Sequence, residues 1–89
     1  MSIQHKYTPG PVVTVSALKV GDTVFLRQRT VGPGLPEPID PATVTAVTPV
    51  PGERVRVHVR RANSGPSIEP TSLGDLATTR EFRSAVASV

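Results

Sequence analysis

The 89-residue chain contains no cysteine and no tryptophan. Without cysteine there is neither a disulfide framework nor a thiolate metal site, so folding does not depend on the redox state of a compartment. The only aromatics are one tyrosine and two phenylalanines, so the core is expected to be mostly valine, and a single-stranded nucleic acid would find few rings to stack on. Lysine is scarce beside arginine, two residues against eight. That ratio, together with abundant Ala, Val, Pro, Gly and Thr, fits GC-rich coding as well as functional demand, and a net charge of +3 is too small to identify a polyanionic partner. No basic stretch leads into an apolar signal-like run, and no apolar run is long enough to cross a bilayer. The expectation is a soluble protein, cytoplasmic when made, with no membrane partner.

What is present favours strands. A chain of this length has room for one domain that buries roughly 60 to 65% of its unfolded surface. Ten prolines and seven glycines punctuate short valine-rich runs, the pattern of a small all-β domain. Residues 1–11, MSIQHKYTPGP, lack periodicity and read as an extended N-terminal arm. A barrel domain is expected over residues 12–83 and a short C-terminal tail over residues 84–89. Val24 and Leu26 alternate with Thr23, Phe25 and Arg27 after a Gly21-Asp22 turn, the period of a half-buried strand. The stretch VGPGLPEPIDP, from Val31 to Pro41, holds four prolines and reads as a long, stiff, exposed loop. ATVTAV, TPVPG and RVRVHVR then predict an antiparallel hairpin. Thr71 or Ser72 could cap a helical turn over SLGDLA, and TTREFRSAVASV reads as a short strand running into the tail.

LKVGDTVFL, a Gly/Pro loop, ATVTAV and RVRVHV together resemble the SH3-like small barrel, in particular its KOW-type pattern of Gly-Asp-x-Val, a glycine loop, x-Val-x-x-Val and a final valine strand. The resemblance covers about half the chain. It departs at Asp40-Pro41-Ala42, where the family usually has a glycine, and in its longer loop. It implies a small SH3-like antiparallel barrel, as found in ribosomal and transcription modules that contact RNA or protein, and in head or connector subunits of tailed phages.

No catalytic constellation is visible. His5 and His58 have no histidine or carboxylate at ligand spacing, and GPG and SGPS lack the lysine and strand-to-helix context of a phosphate loop. No cofactor and no metal are expected. Charge is segregated along the chain: Arg27 and Arg29 lie on one strand, Arg54, Arg56, Arg60 and Arg61 on another, and Glu37, Asp40 and Glu53 between them. If the valines fill the interior, Phe25, Arg27, Arg29, Arg54, Arg56, His58 and Arg60 line an outer wall with one exposed aromatic. Assembly contacts are expected at Tyr7, Pro9 and Pro11 in the arm and at Leu35, Glu37, Ile39 and Asp40 in the loop, because stiff extended segments lose little entropy on docking. The function expected is that of a non-catalytic structural or interaction subunit of a homo-oligomer or larger assembly, with a phage virion component as its most concrete form. The alternative is a KOW-like nucleic-acid-binding module that uses the arginine face.

Overall fold

A computed structural model of the chain describes residues 6–30, 32–34, 36–62 and 69–88. The strands are β1 (Lys6–Thr14), β2 (Thr23–Arg29), β3 (Glu37–Val50), β4 (Arg54–Arg61), β5 (Thr71–Ala77) and β6 (Glu81–Ser88), with one 3-10 turn at Val15–Ala17. They form one six-stranded sheet in the order β1-β6-β2-β3-β4-β5, antiparallel at every pairing. The all-β expectation holds. The closed barrel does not: β1 and β5 are the two ends of the sheet and do not pair, so the sheet is open. Both ends are poorly suited to closure. β1 contains Pro9 and Pro11 around an irregularity in its register with β6, and β5 is bulged where Leu73 and Gly74 together face Val57.

Prolines mark strand β3 without breaking it. This strand has 14 residues; it pairs with β2 from Glu37 to Thr43 and with β4 from Ala42 to Val50. Only Ala42 and Thr43 are paired on both sides. Pro38, Pro41 and Pro49 all fall outside that overlap, where one side of the strand has no ladder and a missing N–H costs little. The expected loop is therefore shorter than Val31 to Pro41, since β3 begins at Glu37. Two further devices bend β3 around the overlap: Asp40 adopts a left-handed φ of 59°, and Thr45 is an extra residue between the pairs Val44↔Val59 and Ala46↔His58.

The Gly21-Asp22 turn is tied to this corner. Gly21 has a φ of 101°, which favours glycine, and the Asp22 side chain accepts a hydrogen bond from the Lys19 amide at 2.9 Å. Gly21 N–H donates to the Val44 carbonyl at 2.9 Å, and the Val44 amide donates back to the Asp22 carbonyl at 2.7 Å.

The core lies on one face of the curled sheet. Val24, Ala42, Val44, Val55, Val57, Val59, Leu76 and Phe82 supply it from five strands, and Val15 and Leu18 cap it from the 3-10 turn and the residue that follows it. The expected burial of Val24, Val44, Val55, Val57 and Val59 holds, while Leu26 is only half-buried. Arg54, Arg56 and Arg61 are exposed, and His58 and Arg60 are half-buried. Three local expectations are corrected. The segment through Pro11 is no free arm over its described residues, because Lys6–Thr14 pairs with β6 from Ser88 to Glu81. Residues 84–88 are strand rather than tail, for the same reason. Thr71–Ala77 is strand β5 rather than a helical turn, because β4 presents an open edge for it to pair with.

Val57 is fully buried, in the middle of the core row of β4. Val57→Asp is expected to unfold the domain, since an unpaired buried carboxylate costs several kcal/mol against a total stability of about 5 to 15; far-ultraviolet circular dichroism on heating checks this. Thr45→Val is expected to hold or raise the melting temperature. The buried Thr45 hydroxyl has no hydrogen-bond partner among the described residues, and an unsatisfied buried hydroxyl costs about 1 to 3 kcal/mol.

Candidate interaction surface

The β2–β3 and β4–β5 registers place most of the arginines opposite or beside carboxylates. Arg29 faces Glu37 across the β2–β3 ladder, and its guanidinium donates to Glu37 Oε2 at 2.8 Å. Arg27 faces Ile39 but reaches the next residue, donating through Nε and a terminal nitrogen to Asp40 Oδ2 at 2.6 Å. Arg61 approaches the other Asp40 oxygen at 3.9 Å, so Asp40 gathers guanidinium groups from β2 and β4. The left-handed backbone of Asp40 accompanies this bridging position. Arg56 faces Asp75 and donates to its Oδ1 at 2.9 Å, while Arg54 donates to the Asp75 carbonyl at 3.3 Å.

These are exposed pairs, each contributing little to stability. Their consequence lies in the surface they leave, which is mixed in charge rather than uniformly basic. The hydrogen bond from Arg56 holds the Asp75 carboxyl below its ordinary value; partial desolvation opposes this, and the charges of Arg56 and Arg54 add to it.

Phe25 corrects the expected wall. It is only 6% exposed, because at this position β2 is paired on both sides, with Arg83 of β6 and Pro41 of β3 directly opposite. It cannot serve as an exposed anchor. Among the assembly contacts expected in the arm and loop, Tyr7 is half-buried opposite Ala87, Pro9 is exposed opposite Ala85, and Pro11 is exposed at the β1 irregularity. Glu37 is exposed, and Ile39 and Asp40 are half-buried within β3. Leu35 and His5 lie outside the described residues. Glu37 and Asp40 thus each form an ion pair within the chain.

A second feature lies between β2 and β6. These strands pair only at Val24↔Ser84 and Phe25↔Arg83 and diverge beyond Phe25. The cleft between them measures about 290 Å³, with Leu26, Arg27 and Gln28 along β2 and Arg80, Phe82 and Arg83 on the other wall. Arg80 lies over the Phe82 ring, 5.2 Å from its centroid, a cation–π arrangement. Arg83 donates to the Gly10 carbonyl at 3.1 Å. Neither arginine has a carboxylate partner among the described residues. An adjoining depression of about 250 Å³ is bordered by Pro9, Pro36 and Pro38 and shares Gln28 and Arg83 with the cleft. A third, of about 360 Å³, lies beside Gly21 and Asp22, whose carboxylate already caps its own turn.

Sequence reasoning did not single out Arg80, Arg83 or Gln28. The available signal was the TTREFR stretch, where strand periodicity through Phe82 leaves Arg83 on the opposite face. No protein-family profile matches the chain, and comparison with curated proteins and with solved structures finds no match.

Two predictions follow from the ion pairs. The folded pKa of Asp75 lies below its unfolded value, so its stabilisation is complete above about pH 4 and is lost as pH falls through the lowered folded value. Asp75→Asn should therefore flatten the acid limb of the melting temperature recorded between neutral pH and about pH 3. At Asp40, Gly is expected to be tolerated better than Ala by about 1 to 2 kcal/mol, because both lose the ion pairs but only Ala keeps the left-handed strain. Urea unfolding of Asp40→Gly and Asp40→Ala checks the order.

Proposed function

We propose that this chain is a non-catalytic interaction subunit whose partners are other protein chains within a larger assembly. The observation that carries the reading is the internal matching of its arginines: Arg27 with Asp40, Arg29 with Glu37 and Arg56 with Asp75. A surface made to follow phosphates gains from unpaired cations, because each neutralised phosphate releases counterions. A surface on which positive and negative groups alternate suits a protein partner, where charge complementarity sets register and rejects wrong partners.

The open all-β sheet, with its meander from β2 to β5 and β6 returning beside β2, is compatible with a small barrel left unclosed. On that footing the SH3-like resemblance supports a head or connector subunit of a tailed-phage virion as the concrete form of the assembly. The KOW-like nucleic-acid reading stays second, because Phe25, its one stacking ring on the arginine face, is buried.

Two measurements test the proposal. Native mass spectrometry of the full chain, alone and with proteins expressed beside it, is expected to show oligomers or stable hetero-complexes; a strict monomer in every mixture counts against it. Binding to mixed-sequence DNA and RNA is expected to be weak at physiological salt. Submicromolar binding that falls steeply with salt, and whose salt slope drops by about one unit for each of Arg54→Ala, Arg56→Ala and Arg60→Ala, would reverse the ranking.

A further inference from the structure

A sheet keeps unspent hydrogen-bonding capacity at its edges, and here both terminal edges are interrupted. β1 carries Pro9 and Pro11, which supply no N–H. β5 carries the Leu73–Gly74 bulge, with Gly74 at a φ of 84°. A third edge lies inside the sheet. Beyond Phe25, β2 is paired with β3 alone, at Arg27, Gln28 and Arg29, and from Leu26 to Arg29 no strand among the described residues pairs with its other side. This stretch, Leu-Arg-Gln-Arg, contains no proline and no bulge, and it forms one wall of the cleft that begins where β6 diverges.

We infer that the Leu26–Arg29 edge accepts an extended acidic segment of a partner protein, which adds as a strand in the cleft between β2 and β6. The inference rests on the protein-binding reading above and gives the partner its chemistry. Main-chain hydrogen bonds to the β2 edge supply affinity, and alternate side chains are read by the walls. Four edge residues at about 3.3 Å each offer about 13 Å of ladder, enough for a segment of about four residues. The walls carry Arg27, Arg80 and Arg83 against Glu81 alone, a net charge of +2. Arg80 and Arg83 are the two of these arginines that no carboxylate among the described residues engages, so they remain for carboxylates of the incoming segment. The depression bordered by Pro9, Pro36 and Pro38 continues the groove past Gln28 and Arg83. A nucleic acid strand would bring phosphates to the same arginines, but it has no peptide ladder to offer the β2 edge and would meet Glu81.

The test uses the full chain, isotopically labelled for amide hydrogen exchange. The probe is a synthetic peptide of about eight residues alternating valine and glutamate. It is compared with the same peptide carrying lysine for glutamate, a backbone N-methylated version, and single-stranded mixed-sequence DNA. The acidic peptide is expected to bind saturably and to slow exchange within Leu26–Arg29, while the lysine and N-methylated peptides do not bind. Arg80→Glu and Arg83→Glu should each weaken binding about tenfold or more, the size of a lost charge-assisted hydrogen bond. Arg80→Gln and Arg83→Gln serve if charge reversal disturbs folding, and the peptide comparisons on the parent chain need no variant.

Equal binding of the acidic and lysine peptides, protection appearing on β1 or β5 instead, or tighter binding of DNA with the same protected amides overturns the inference. Concentration-dependent protection of this edge without peptide also overturns it, in favour of a second copy of the chain. Failure of the acidic peptide to bind overturns the acceptor edge, while the assembly reading stands or falls on the mass spectrometry.

Discussion

Strand β3 has to serve two neighbours along one run of backbone, and it meets both of them only at Ala42 and Thr43. Before the overlap it belongs with β2, after it with β4, so the sheet must turn a corner there. Every irregularity nearby serves that turn. Asp40 takes a left-handed conformation just before the overlap, Thr45 inserts as a bulge just after it, and the Gly21-Asp22 turn is fastened to Val44 by paired backbone hydrogen bonds. The fully buried Ala42 and the nearly inaccessible Val44 sit on the inside of the corner, where valine and alanine fit and a larger side chain would hold the two halves apart. Three prolines persist in β3 because a strand that changes partners leaves one flank unpaired over most of its length.

The same corner decides what becomes of the charges. Because β3 enters beside β2, Glu37 and Asp40 arrive opposite Arg29 and next to Arg27, and Asp40 comes within reach of Arg61 on β4. A linear segregation of charge along the sequence thus becomes a mixture on the folded surface. Individually such exposed pairs add little to stability. Arg80 and Arg83, which have no carboxylate partner among the described residues, flank the place where β2 and β6 cease to pair.

Much of the local structure was legible in the residues. The alternation of valine with arginine from Arg54 to Arg61 fixed both the strand and its inward face, since a slip of one position would have buried the charges. The Gly21-Asp22 turn was legible too, as backbone geometry rather than chemistry. Other elements were hidden because their signals pointed elsewhere. Tyr7 to Pro11 looks like an arm because proline argues against a strand, yet an edge strand tolerates proline on its open side. Thr71-Ser72 looks like a helix cap, and only the vacant edge of β4 makes the segment a strand. Alternation gave Phe25 its face correctly, but the face alone does not give exposure. Burial accompanies pairing on both sides, with Pro41 and with Arg83, and the partner in β6 lies so far along the chain that the pairing is invisible to any local pattern.

The cleft has the same non-local origin. It exists because β2 and β6 agree in register for two residue pairs and then separate, β2 following β3 into the β2–β3 hairpin while β6 stays paired with β1 to Glu81. Both outer edges of the sheet carry features that discourage strand addition: prolines in β1 and a bulge in β5. Leu26–Arg29 carries neither. Arg27 and Arg29 are turned toward β3 by their carboxylates, which leaves backbone rather than side chain as the main feature of the β2 flank, and the cations across the cleft are Arg80, just before β6, and Arg83 within it. A flank with backbone hydrogen bonds to give, set opposite two arginines that have no carboxylate partner among the described residues, offers an extended acidic chain both of the things it needs.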